Sequence, residues 1–255
     1  MRRPYLLDEL APAAKRCGID GIVVVQTVAD TAETVELLGL ASTEPLIRGA
    51  VGWVDLEEAT VSEHLSALRG HPGGDKLVGI RHQVQAEADP HWLGSPTVHR
   101  GLEAVAPSGL VFDLVLRAEQ LPAAVDAAIA LPNGRFVLDH LGNPYMAAGH
   151  FDNWLTQISR LSFCRNVAVK LSGMVTQLPV EVDPLTKLHP YVDAVLSTFG
   201  HERIIFGSDW PVCPLAAGYE ETVEPAERLV EHLPVAQQRA IFGTNAMTWY
   251  GIGRK

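Results

Sequence analysis

Positive charge is scarce in this chain of 255 residues: 20 Lys and Arg stand against 30 Asp and Glu, for a formal net charge of −10. No basic stripe remains to neutralise a phosphate backbone, so nucleic acid is excluded as the expected partner. Cysteine is rarer. Cys17, Cys164 and Cys213 are odd in number and have no C-x-x-C spacing, which argues against a disulfide framework and against a thiolate zinc site. No apolar run reaches the roughly 18 residues that cross a bilayer, and the opening MRRPYLLDELAPAAKRCG is too charged for a signal peptide's apolar segment. The expectation is a cytoplasmic protein with reduced thiols and no membrane partner. Three motifs are also missing. Without G-x-G-x-x-G after an early strand there is no dinucleotide fold, without G-x-S-x-G no serine elbow, and without H-E-x-x-H no helical zinc pair.

What is present is an alternation of β-branched runs with amphipathic stretches. The runs are 21–27 (GIVVVQT), 47–54 (IRGAVGWV), 76–84 (KLVGIRHQV), 109–116 (GLVFDLVL), 135–142 (RFVLDHLG), 166–173 (NVAVKLSG) and 203–210 (RIIFGSDW). They are nearly continuous in Val, Ile and Leu, as parallel strands covered on both faces require. Helices are expected over 30–41, 59–69, 120–131, 152–161, 190–199, 221–232 and 234–249, with Asp152 as a cap and Pro122 and Pro190 in first turns. Seven β/α units in 255 residues, 47% of them apolar, make one α/β barrel domain spanning 1–255. The count falls one short. A helix over 5–17 precedes the first recognisable strand, so a closed (β/α)8 TIM barrel would lack its first strand here. Either the sequence starts too late by some 20 to 30 residues, the length of a strand and a loop, or the barrel is a seven-stranded variant. Unpaired edges at that gap would favour aggregation or pairing with another chain.

The polar residues of the runs gather at their C-terminal ends: Gln26, Trp53, Arg81 and His82, Asp113, Asp139 and His140, Lys170 and Ser172, and Ser208 and Asp209. Parallel barrels carry their active sites at that end, which favours a barrel over an open sheet. Asp209, where Trp210 and Pro211 break the last run, is either a base on the rim or a turn residue bonded to its own backbone. His140 ends another strand and can share its pocket. Arg81 offers a planar charged fork for substrate oxygens, and His82 adds a donor, but adjacent strand residues face opposite sides, so at most one enters the barrel. Lys170, an ammonium in an apolar strand, must reach the rim or find a carboxylate; it is a substrate ligand or a structural ion pair. Ser172 has no obvious base beside it, and Cys213, close to Asp209 in sequence, reads as a small buried hydrophobe. The other eight histidines fall in helices or loops.

The ordered set VVVQT, GIRHQVQAEADPHWL, LVFDLVL, FVLDHLGNP, VAVKLSG, IIFGSDWP and FGTNAMTWYG resembles the amidohydrolase-related branch of the amidohydrolase superfamily, along essentially the whole chain. Within it the likeness is greatest to TIM-barrel lactonases acting on sugar-acid lactones and on pyrone dicarboxylate. The resemblance implies a hydrolase that attacks a lactone carbonyl with water, with Asp209 as general base and His140 in the active site. It also implies Arg81 or His82 as ligands of a small-molecule substrate, with Gln26, Trp53 and Lys170 beside them. Cofactor use in the family divides: one divalent ion, zinc or similar, or none. The family's H-x-H on a first strand is absent here, leaving His140 and Asp209 as metal donors, short of the three protein ligands of a catalytic zinc. Two alternatives stay open: a metal-dependent decarboxylase of the same superfamily, and an inactive barrel that binds a sugar acid or a protein partner.

Overall fold

Each of the seven apolar runs contains a strand in the computed structural model, which describes residues 5–146, 149–178, 182–213 and 218–253. The strands are β1 (Ile22–Val25), β2 (Ile47–Gly52), β3 (Leu77–His82), β4 (Val111–Leu114), β5 (Arg135–Leu138), β6 (Val167–Leu171) and β7 (Ile204–Phe206). They form one parallel sheet in chain order. Crossover helices join them: α2 (Thr31–Thr43), α3 (Val61–Gly70), α4 (Pro96–Val105), α5 (Leu121–Ala130), α6 (Phe151–Ser162) and α7 (Pro184–Phe199). Helix α1 (Leu7–Arg16) precedes β1, and α8 (Tyr219–Val230), α9 (Val235–Arg239) and α10 (Asn245–Trp249) follow β7. This is the (β/α)8 TIM-barrel architecture with seven strands, and among the described residues β7 does not pair with β1. A cluster of Leu10, Ala13 and Ala14 of α1 with Tyr219 and Val223 of α8 covers that seam, touching Ile22 of β1 and Phe206 of β7.

Several helix boundaries differ from expectation. Helix α4 was not anticipated; Ser95 caps it by accepting from the Val98 N–H at 3.3 Å, and Pro96 takes its first turn. Helix α7 begins at Pro184, capped by Asp183, so Pro190 lies inside it rather than in a first turn. Asp152 sits in the first turn of α6 and caps nothing; His150 holds the cap position. The expected single helix over 234–249 is interrupted by a π-helical turn, Ala240–Thr244, between α9 and α10.

Alternation along the strands divides the core in two. Phe112, Leu114, Phe136, Leu138, Val167 and Val169 face the helices, and each fully buried side chain of this size contributes about 1.5–3 kcal/mol. Val51, Val111, Val137, Ala168 and Ile205 face the barrel interior, where Tyr250, just past α10, joins them. No described helix is long and apolar enough to cross a membrane.

Candidate active site

Beyond the apolar inner layer, the next inward positions are charged: Arg81 on β3, Asp113 on β4, Asp139 after β5 and Lys170 on β6. Lys170 Nζ lies 2.5 Å from Asp113 Oδ2 and 2.7 Å from Asp139 Oδ1, and Arg81 Nη1 lies 3.0 Å from Asp139 Oδ2. Tyr250 donates its hydroxyl to the same Asp113 carboxylate at 2.9 Å. Two cations and two carboxylates make the bed formally neutral, which is what permits its burial. Burial raises Asp113 to about 6 against the pull of Lys170. Asp139 is also opposed by burial, but Lys170 and Arg81 together hold it far below the usual carboxylate range. The two carboxylates in turn hold Lys170 well above the usual amine range despite its burial.

Gln26, at the end of β1, is fully buried and fastens to this bed: its Nε2 donates to the Arg81 carbonyl at 3.1 Å, while Arg81 Nη2 donates to the Gln26 carbonyl. Arg81 thus enters the barrel, and the alternation that sends it inward turns His82 away. His82 instead stacks on Trp92 with ring centroids 4.2 Å apart, receives the Trp53 indole N–H on Nδ1 at 3.1 Å, and places Nε2 2.7 Å from Glu87. Because an indole nitrogen only donates, Nδ1 is the acceptor and the His82 proton sits on Nε2, facing Glu87. Trp53 and His82 therefore form a cluster of their own at the β2–β3 end of the rim.

His140 and Asp209 stand at the ends of β5 and β7, their side chains 16% and 17% exposed, with Nε2 3.8 Å from Oδ1. Both occupy left-handed backbone, at φ 53° and 57°, and Leu141 and Asn143 beside His140 do the same. Such conformations cost of order 1–3 kcal/mol each in non-glycine residues and persist only where the surroundings enforce them. Among the described residues the Asp209 carboxylate accepts no backbone N–H, whereas its carbonyl accepts from Val212 and Cys213. Burial raises the Asp209 carboxyl above its ordinary value. Burial also lowers His140, against the pull of Asp139 and Asp209.

Three residues were missed or misjudged from sequence. Ser172 does have a base beside it, since His140 Nδ1 lies 2.9 Å from its hydroxyl. Asp113 carried the same signal as Lys170, a lone charge in an apolar strand, but was not singled out. Nothing in the local sequence of Tyr250 foretells its reach to Asp113, 137 residues away. Cys213 is fully buried, and burial pushes its thiol up to about 11, as expected of a structural cysteine.

No group of three or more His, Cys, Asp or Glu able to hold a metal is found among the described residues. His140 and Asp209 are two donors facing one space; a catalytic zinc takes three protein ligands, so they do not by themselves fit one.

A family model for amidohydrolases matches residues 1–252. The chain belongs to the amidohydrolase family. This amidohydrolase is 34% identical over 256 residues to an L-fucono-1,5-lactonase of Burkholderia ambifaria, covering 99% of this chain and 87% of the relative. It is similar to a crystal structure of a Burkholderia multivorans amidohydrolase with bound zinc, at 34% identity and a TM-score of 0.93, over 98% of this chain and 89% of that one. A 5-carboxyvanillate decarboxylase of Sphingomonas paucimobilis shares the fold at a TM-score of 0.65 and 16% identity, over 98% of this chain and 84% of that one. The protein is a hydrolase of this family.

Proposed function

We propose that this amidohydrolase opens the ring of a lactone, of a sugar acid or a dicarboxylate, by water attack with Asp209 as general base. The observation that supports it most is the convergence of Asp209 and His140 from separate strand ends in enforced left-handed backbone, with their side chains 3.8 Å apart. The name of the 34% identical lactonase points the same way.

In this reading Asp209 takes a proton from water as the hydroxide oxygen bonds to the ester carbonyl carbon. The tetrahedral intermediate expels the ring alkoxide, and Asp209 returns its proton to that oxygen. The product is a hydroxy acid, whose ionisation releases one proton to solvent. Burial suits Asp209 to this task by raising its basicity above that of an ordinary carboxylate. His140 faces the oxyanion through Nε2. Arg81 and Lys170, bound to Asp139 and Asp113, lie beneath the substrate as a fixed field; Gln26, fully buried, holds Arg81 in place, and Trp53 with His82 forms the β2–β3 side of the rim. His140 and Asp209 alone do not make up a zinc ligand set, and no step of this reading is routed through a metal ion.

The test is a screen of aldonolactones and dicarboxylate lactones monitored by acid release. Asp209→Asn is expected to lower kcat by about 10²- to 10⁴-fold on the active lactone while folding normally. Near-normal turnover in that variant would remove Asp209 from its role. Carbon dioxide release in place of acid would identify a decarboxylase.

A further inference from the structure

Ser172, His140 and Asp209 stand in a row. Ser172 Oγ meets His140 Nδ1 at 2.9 Å, and His140 Nε2 faces Asp209 Oδ1 at 3.8 Å. The arrangement has the composition of a Ser-His-Asp triad, but the order of burial is reversed. In a hydrolytic triad the serine is open to substrate and the acid is buried behind the imidazole. Here Ser172 is 3% exposed while the Asp209 side chain is 17% exposed. Ser172 therefore cannot present its oxygen to a carbonyl; it occupies the place of the group that orients the ring.

The neighbours of Ser172 leave the imidazole little freedom. Gly173 lies directly against the ring at φ +61°: a Cβ there would fall 2.7 Å from His140 Nδ1 and 2.8 Å from its Cγ. On the other side a Cβ on Gly207 of the β7 end would come within 3.1 Å of Ser172 Cβ. The two glycines let β6 and β7 close on Ser172 and let the imidazole approach Gly173 closely. With contact on one side and a hydrogen bond on Nδ1, the nitrogen left to face the pocket is Nε2.

We infer that Ser172 is a positioning residue for the hydrolytic reaction, holding His140 through Nδ1 so that Nε2 is presented to the substrate and to Asp209. The inference rests on the proposed role of His140. It also explains why a serine with an adjacent imidazole is not the nucleophile.

The experiment measures kcat and KM on the lactone found active in the screen, with thermal unfolding in parallel, for Ser172→Ala and His140→Gln. Ser172→Ala is expected to lower kcat about 10- to 100-fold, the usual loss when the group orienting an imidazole is removed, with KM within about twofold and an unfolding midpoint close to wild type. Nitrogen-15 spectra of the His140 ring should show the Nδ1 resonance displaced in Ser172→Ala, a change that loss of core packing would not produce selectively. His140→Gln is expected to lose at least as much kcat as Ser172→Ala. If His140→Gln turns over normally, the role of His140 falls. If His140→Gln is impaired but Ser172→Ala has wild-type kcat, or an unmoved Nδ1 resonance, the Ser172 inference falls alone. A Ser172→Ala loss confined to KM or matched by a collapse in stability would overturn it equally.

Discussion

Lys170 is the residue on which the buried charges turn. It is bonded to Asp113 and Asp139 at once, and its removal would leave two carboxylates facing each other with Arg81 alone to offset them. Lys170→Met should therefore destabilise the protein by about 3–5 kcal/mol, the cost of breaking a buried ion pair from one side. Urea unfolding reads this directly; a change below about 1 kcal/mol would mean that the carboxylates are relieved by water. Asp209 gives a second residue-scale expectation. Its carboxyl titrates above the ordinary value of 3.8, and only the ionised form is a base, so kcat/KM should rise with pH through an apparent pKa above 3.8. An acid limb centred at or below 3.8 would separate the activity from the buried carboxylate.

At the scale of elements, two helical glycines should respond with opposite sign to the same substitution. Gly39, in the middle of α2, has nothing within 4 Å of the position a Cβ would take, so Gly39→Ala should stabilise by about 1 kcal/mol, the ordinary helix-propensity difference. Gly101 in α4 lies against the backbone of Leu56, where a Cβ would stand 2.2 Å from the carbonyl oxygen. There the clash outweighs propensity, and Gly101→Ala should destabilise by about 1–3 kcal/mol. Thermal unfolding of the two variants checks both signs. The same contact explains why α4 escaped the sequence reading. Ser95 and Pro96 are themselves a helix-start signal, but Gly101 in mid-stretch lowers helix propensity, and the helix holds because the glycine lets it pack tightly against the segment after β2.

At the scale of the whole molecule, the sign of each pKa shift sets the acid stability. Asp139, held well below 3.8, contributes stability that is present above 3.8 and lost as pH falls beneath it. Asp113, raised to about 6, works the other way: its contribution is complete below 3.8 and lost as pH rises through about 6. His140, lowered from 6.5, contributes above 6.5 and loses that contribution on acidification. Between about pH 6.5 and 4 the Asp113 and His140 contributions oppose each other, so a steep loss of stability is expected only below about pH 4. Urea midpoints across that range test it; a steep fall already between about pH 6.5 and 5 would contradict the balance.

The sequence by itself determined the seven strands, their parallel order and the end of the barrel at which the polar residues gather. These follow from local causes: continuous β-branched runs must be covered on both faces, and a polar residue ending such a run has only the rim to occupy. The rim positions of Asp209 and His140 were legible for that reason; of Arg81 and His82 alternation said only that at most one enters the barrel, and the structure decided for Arg81. Tertiary structure alone decided which charges neutralise one another, that Tyr250 reaches Asp113 from beyond the last helix, and that the Ser172 hydroxyl meets His140 Nδ1. Those assignments depend on which side chains meet across the barrel and on how deeply each is buried. Both are fixed by the curl of the sheet and the close approach allowed at Gly173 and Gly207, neither of which leaves a periodic mark in the chain.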